Sequence, residues 1–86
     1  MTAFSVRVKG YGYLASMLKG ASEASFKEPV TVLNVLRTVL PDLFSKLSRE
    51  EAGNEFVVLL NGRPARLDET VSGDCLMEVL PVISGG

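Results

Sequence analysis

The chain has 86 residues, of which 47% are hydrophobic and 22% are charged, and its net charge is −1. This length predicts one small domain, and the charge gives no basic surface for nucleic acid or an anionic membrane. Because the chain has no histidine and only one cysteine, Cys75, an internal disulfide, a Cys/His metal site and a histidine-dependent nucleophile are excluded.

The first part of the chain predicts two paired strands. Residues 4–9, "FSVRVK", alternate between apolar and polar side chains, which is typical of a half-buried strand. Gly10 and Gly12 interrupt this alternation, so we expect "GYGYLASMLKG" to form a loop or a short helical turn. Residues 22–28, "SEASFKE", alternate again and predict a weaker strand that pairs with the first.

A helix is predicted over residues 31–40, "TVLNVLRTVL". Thr31 can cap its first turn by accepting a hydrogen bond from a backbone N–H. Pro41 should end this helix and can open a second short one, after which "SREEAGNE" predicts a polar loop. The expected apolar stripe consists of Val32, Val35, Leu36, Val39 and Leu40.

The last part of the chain predicts a hairpin and a final strand. Residues 55–60, "EFVVLL", are followed by Asn61-Gly62, the strongest short signal for a hairpin turn. The return strand lies around Pro64 to Arg66 and should be an edge, because proline cannot donate a ladder hydrogen bond. "LDETVSGD" predicts a second turn region. Residues 75–81 form the last strand, with Met77 and Val79 on one face and Leu76, Glu78 and Leu80 on the other.

These elements favour one mixed sheet with a helix packed on one of its faces, an α+β architecture. The N-terminus alternates and contains no apolar block, so it does not resemble a signal peptide. No apolar run approaches the ~18 residues of a membrane helix. A single thiol is compatible with a reducing compartment, and we expect a cytoplasmic protein with no nucleic-acid or membrane partner.

The segment "LLNGRPARLDETVSGDCLMEVLPVISGG" resembles the C-terminal half of the ubiquitin-like β-grasp sulfur carriers. Its motifs are the Asn61-Gly62 hairpin, the Gly73-Asp74 turn and the end from Pro81 to Gly86. The resemblance covers nearly the whole chain and implies a β-grasp fold, with a mixed sheet of four or five strands packed on one main helix. It further implies a folded domain over residues 1–81 and a flexible Gly-Gly tail over residues 82–86.

The same resemblance implies that the chain is a carrier and co-substrate, at most the non-catalytic small subunit of a molybdopterin synthase. A ubiquitin-activating-like enzyme would adenylate the α-carboxylate of Gly86, using ATP that the carrier itself does not bind; no metal or cofactor is expected on the chain. The adenylate would become a thiocarboxylate that gives its sulfur to the large subunit of molybdopterin synthase or an equivalent acceptor. The expected pathway is molybdenum or tungsten cofactor biosynthesis.

Three alternatives remain at the level of sequence. The chain could be a protein modifier joined through Gly86 to lysines of its targets, because adenylation is common to both functions. It could be a sulfur carrier for thiamine or cysteine biosynthesis. It could also be a passive β-grasp binding module whose tail is incidental.

Two groups of residues are candidates for the functional site. Glycines lack Cβ atoms and let a backbone enter a narrow channel, so the tail should deliver the Gly86 carboxylate to a partner's active site. A partner should also grip an apolar patch on the sheet face away from the helix. The tail residues are Ile83, Ser84 and Gly85, and the partner-binding candidates are Leu80, Leu76, Tyr11 and Pro64.

Overall fold

The computed structural model describes residues 3–18, 21–44, 51 and 54–82. Across these ranges no helix is long and apolar enough to cross a membrane. The strands and helices follow one another as β1 (Phe4–Gly10), α1 (Tyr13–Met17), β2 (Ala21–Phe26), β3 (Val30–Thr31), α2 (Val32–Val39), α3 (Pro41–Phe44), β4 (Phe56–Leu60), β5 (Arg63–Ala65), β6 (Thr70–Val71) and β7 (Cys75–Pro81).

Five strands form one mixed sheet in the order β2-β1-β7-β4-β5. The central strands β1 and β7 run parallel, and the other neighbours are antiparallel. β2 pairs with β1 and β5 is an edge strand, as predicted. The α+β fold with a mixed five-stranded sheet is therefore confirmed, and it is the β-grasp arrangement that the sequence resemblance implied.

The core lies where the inner face of the sheet meets the helices. Val6 and Val8 of β1 are fully buried, as are Met77 and Val79 of β7. They belong to the same apolar cluster as the buried residues of α2. The alternation of β1 and β7 thus divides each strand into a core side and an outer side.

Helix α2 begins as the sequence predicts. The Thr31 hydroxyl oxygen accepts a hydrogen bond from the Asn34 N–H at 3.2 Å, which satisfies one of the free donors of the first turn. Two further N–H groups, those of Val32 and Leu33, donate to the carbonyls of Glu69 and Leu67, each at 3.0 Å. Leu33 is buried beside the predicted stripe, because the segment that ends in β6 covers this side of the helix.

A second, two-stranded sheet forms between β3 and β6. Val30 pairs with Val71, and Thr31 pairs with Thr70. The sequence predicted a turn region over "LDETVSGD", and this prediction is wrong for Thr70 and Val71, which form strand β6. Each of these strands has two residues, which is too short to produce a recognisable alternation in the sequence.

The glycine-rich segment after β1 contains the short helix α1. A Cβ atom at Gly10 would lie 2.7 Å from the carbonyl oxygen of Leu14, so only glycine lets α1 approach the end of β1 this closely. Leu14 is fully buried there. The alternative of a short helical turn is therefore confirmed for this part of the chain.

Several other predicted boundaries differ from the structure by one or two residues, and one predicted loop is partly helical. Glu51, Asn54 and Glu55 are helical, whereas the sequence predicted a polar loop over "SREEAGNE"; the rest of that stretch lies outside the described residues. Strand β4 starts at Phe56, one residue after the predicted start. Pro41 opens α3, as predicted.

Candidate functional site

The outer face of β7 carries two of the predicted partner-binding residues. Leu76 and Leu80 are half-buried and point away from the core, whereas Met77 is fully buried on the opposite side. Glu78 lies between the two leucines on the outer face. This division agrees with the sequence prediction and follows from the two-residue period of a strand.

Strands β4 and β5 extend this surface across the sheet. Val57 lies opposite Leu80, Leu59 lies opposite Glu78, and Pro64 of β5 lies opposite Leu59. Val57 is 43% exposed. We call this surface the β7–β5 face; it consists of Val57, Leu59, Pro64, Leu76, Glu78 and Leu80.

The structure thus places Leu76, Leu80 and Pro64 on one surface, and it adds two residues that the sequence did not single out. Val57 and Leu59 belong to a continuous apolar run, in which no polar neighbour shows which side chains face outward. The pairing of β4 with β7 shows that both side chains lie on the outer face of the sheet.

The fourth candidate, Tyr11, lies at the rim of the β7–β5 face. Its N–H donates to the Val79 carbonyl at 3.1 Å, which continues the β1–β7 ladder past Gly10. Its hydroxyl donates a hydrogen bond to Oε2 of Glu78. This bond to a carboxylate, with partial burial and the negative charge of Glu78, raises the pKa of Tyr11 above its ordinary value.

A lysine completes this polar group. Lys9 pairs in register with Glu78 across β1 and β7, and its Nζ lies 5.4 Å from the centre of the Tyr11 ring. This distance is within the range of a cation–π interaction. Lys9, Tyr11 and Glu78 therefore form one polar cluster along the β1 side of the β7–β5 face.

Turn residues hold the ends of β7 in place. Asn61 and Gly62 both have positive φ angles, 52° and 84°, as the predicted hairpin turn requires. The Asn61 N–H donates to the Leu76 carbonyl at 2.8 Å, and its side-chain Oδ1 accepts from the Leu76 N–H at 3.0 Å. The Asp74 carboxylate accepts a hydrogen bond from the Ser5 N–H at 2.7 Å. These bonds fix Leu76 on the outer face.

The chain leaves the sheet next to the β7–β5 face. Pro81, the last residue of β7, pairs with Phe56, and the Val82 N–H donates to the Glu55 carbonyl at 2.8 Å. Val82 is 47% exposed. The predicted tail residues Ile83, Ser84, Gly85 and Gly86 lie outside the described residues.

Cys75 occupies the first position of β7 and is half-buried against the core. Burial, and then the negative charge of Asp74, raise the pKa of its thiol. A thiol with a raised pKa is a poor nucleophile at neutral pH. Over the described ranges, no three His, Cys, Asp or Glu side chains come close enough to hold a metal ion.

Several solved structures share this fold. The protein assigned as molybdopterin converting factor subunit 1 from Pyrococcus furiosus is 16% identical, with a TM-score of 0.71 over 93% of this chain and 99% of its own. Small archaeal modifier protein 1 from Haloferax volcanii is 24% identical, with a TM-score of 0.73 over 95% and 99% of the two chains. The protein of that name from Methanosarcina acetivorans is 20% identical, with a TM-score of 0.68 over both full chains.

At these identities the likeness establishes a common fold. No protein-family model matches the sequence, and a search of curated proteins gives no match either.

Proposed function

We propose that the chain is a ubiquitin-like sulfur carrier whose reactive group is the α-carboxylate of Gly86. The observation that carries the proposal is the β-grasp sheet whose strand β7 displays Leu76 and Leu80 and leads directly into the glycine-ended segment. A folded domain would dock through the β7–β5 face while the tail enters the partner's active site.

The chemistry requires an activating enzyme, because a carboxylate is a poor electrophile. A carboxylate oxygen of Gly86 attacks the α-phosphorus of ATP, and pyrophosphate leaves. If the sulfur donor is hydrosulfide, its sulfur attacks the acyl carbon, AMP leaves and the thiocarboxylate forms directly. If the donor is a persulfide, its terminal sulfur attacks and AMP leaves; a second thiol then attacks the donor sulfur of the resulting acyl disulfide, forms a disulfide with the donor and releases the thiocarboxylate. Docking the tail orders several backbone residues at about 1–2 kcal/mol each, which contacts at the β7–β5 face would offset.

Within this proposal, the acceptor of the sulfur is the precursor of molybdopterin, bound by a large synthase subunit. Support comes from the structural likeness to the P. furiosus protein assigned as a molybdopterin converting factor subunit. The chain would supply sulfur as a co-substrate, and the catalytic groups would belong to its partners.

ATP–pyrophosphate exchange with a ubiquitin-activating-like adenylating enzyme tests the first step. The intact mass of the purified protein first verifies that Gly86 carries a free α-carboxylate. We expect exchange with the wild-type chain and none after deletion of Gly86. Gly73→Ala provides a matched control, because a Cβ at Gly73 meets no atom within 4 Å. Equal exchange by the wild type and the deletion variant would contradict the proposal.

A second candidate is a protein modifier that forms isopeptide bonds through Gly86. It is favoured by the two small archaeal modifier proteins, which are 24% and 20% identical to this chain, compared with 16% for the converting factor. Isolation of the tagged chain from cells separates the two functions. Conjugates with other proteins that disappear on deletion of Gly86 favour the modifier, and a free thiocarboxylate favours the carrier.

A further inference from the structure

One negative charge lies in the middle of the otherwise apolar β7–β5 face. Glu78 lies between Leu76 and Leu80 along β7, and it faces Leu59 across the β4–β7 ladder. The other outward-facing charges of the sheet lie on β1 and β2, where Arg7 pairs with Glu23. A partner that covers the apolar residues must therefore also cover Glu78.

The chain itself only partly compensates this charge. Oε2 of Glu78 accepts the hydroxyl hydrogen of Tyr11, but a tyrosine hydroxyl is neutral. Lys9 points its Nζ toward the Tyr11 ring, and none of the described residues places a cationic nitrogen within 4.0 Å of the Glu78 carboxylate. The half-buried carboxylate thus depends on solvent for the rest of its stabilisation.

Docking would remove that solvent. A carboxylate that is covered without a counter-charge is strongly unfavourable, whereas a charge-assisted hydrogen bond to a cation offsets the loss of water. We propose that the adenylating partner presents an apolar surface with a cationic side chain at its centre, which pairs with Glu78. This inference rests on the proposed function, and it identifies the negative charge of Glu78 as a feature that selects the partner.

The hydrogen bond from Tyr11 fits this role. It holds one carboxylate oxygen and leaves Oε1 for the incoming cation. A guanidinium suits this site best, because its planar donors can bind a carboxylate while the rest of the side chain packs on apolar neighbours. Glu78 would then select for partners that carry this cation and against partners with a wholly apolar surface.

Two substitutions of Glu78 distinguish a partner surface that carries a cation from one that is wholly apolar. The dissociation constant of the purified adenylating enzyme is measured for the wild type, Glu78→Gln and Glu78→Leu, with circular dichroism to verify folding. Glu23→Gln is the matched control, because it removes the same charge from the outer face of β2, which β1 separates from β7.

We expect Glu78→Gln and Glu78→Leu each to weaken binding at least about tenfold, since each leaves the partner's cation covered and unpaired. The wild-type affinity should also fall more steeply with salt than that of either variant. Glu23→Gln should bind like the wild type. If Glu78→Leu binds as tightly as the wild type, or more tightly, the opposing surface is apolar and the inference is wrong.

A double-variant cycle with Tyr11→Phe shows whether Glu78 contacts the partner directly or acts only by holding Tyr11 in place. If Glu78 contacts the partner's cation, Glu78→Gln still weakens binding in the Tyr11→Phe background. If Glu78 only holds Tyr11 in place, its substitution has no further effect there, and the inference fails. Failure of the proposed function has a different signature, because the enzyme then does not adenylate the wild-type chain at all.

Discussion

At the scale of single residues, Gly10 shows how the absence of a side chain allows α1 to pack closely against the end of β1. The sequence predicted that Gly10 would interrupt a strand, but β1 includes it and the reason for glycine is steric. The Leu14 carbonyl occupies the space that a Cβ would need. A contact between residues of different elements cannot be read from a local pattern, so this role emerged only from the fold.

Gly10→Ala should destabilise the protein by about 1–3 kcal/mol, because its new methyl group meets backbone atoms of α1 that must move. Gly73→Ala is the matched control and should cause no loss, since its surroundings are open. Urea unfolding followed by circular dichroism measures both. A Gly10→Ala variant as stable as the wild type would mean that α1 does not pack as closely as described.

The Tyr11–Glu78 hydrogen bond gives a second prediction at this scale. It raises the pKa of Tyr11 above 10.0, so its stabilising contribution is present below pH 10.0 and is lost as the pH rises through the raised pKa. In a Tyr13→Phe background, the ultraviolet titration reports Tyr11 alone, because the chain has two tyrosines.

Glu78→Gln in this background should shift the Tyr11 titration to lower pH, since it removes the negative charge and the carboxylate acceptor. Glu23→Gln is the control and should leave the titration unchanged. Identical curves for Glu78→Gln and its parent would show that the hydroxyl does not donate to Glu78 in solution.

At the scale of elements, strands and helices with a long enough pattern were predictable. β1, α2 and β7 have seven or eight residues each, and their alternation or helical stripe identified their buried faces. The β3–β6 sheet was missed because its strands have two residues each. β3 and β6 lie far apart in the chain, so their pairing depends on the tertiary structure.

The cap of α2 gives the prediction at this scale. Thr31→Ala should lower the free energy of unfolding by about 1 kcal/mol, since it removes the hydroxyl acceptor of the Asn34 N–H. Thr38→Ala is the matched control in the same helix. The Thr38 hydroxyl donates to the Asn34 carbonyl, a bond that a helix interior does not need, and alanine has the higher helix propensity.

Chemical denaturation of both variants measures the difference. We expect Thr31→Ala to be clearly less stable than Thr38→Ala. Equal stabilities would indicate that the hydrogen bonds from Val32 and Leu33 to the segment before β6 are enough to secure the start of the helix.

At the scale of the whole molecule, the fold was predictable because a family resemblance and the order of elements agreed. The candidate site was predictable only in part. Leu76 and Leu80 could be assigned to a face from the alternation of β7, whereas Val57 and Leu59 could not, because their run is apolar on both sides of the strand. The sheet order brings these residues together beside the point where the chain leaves β7.

The folded domain and the terminal segment therefore have separate roles in this account. In the proposed function, the domain presents the β7–β5 face and the α-carboxylate of Gly86 is the group that reacts. The division predicted at residues 81 and 82 remains a prediction. For the residues beyond Val82, truncation is the test: under the proposed function, removal of residues 83–86 should leave the unfolding transition unchanged and abolish adenylation.

The most direct test of the central claim is the intact mass of the chain after incubation with its adenylating enzyme, ATP and a sulfur donor. The account predicts the mass gain of one oxygen replaced by sulfur, located at Gly86 by fragmentation and absent when ATP is omitted. A chain that retains its original mass, while a known carrier protein is converted by its own enzyme under the same conditions, would contradict the claim.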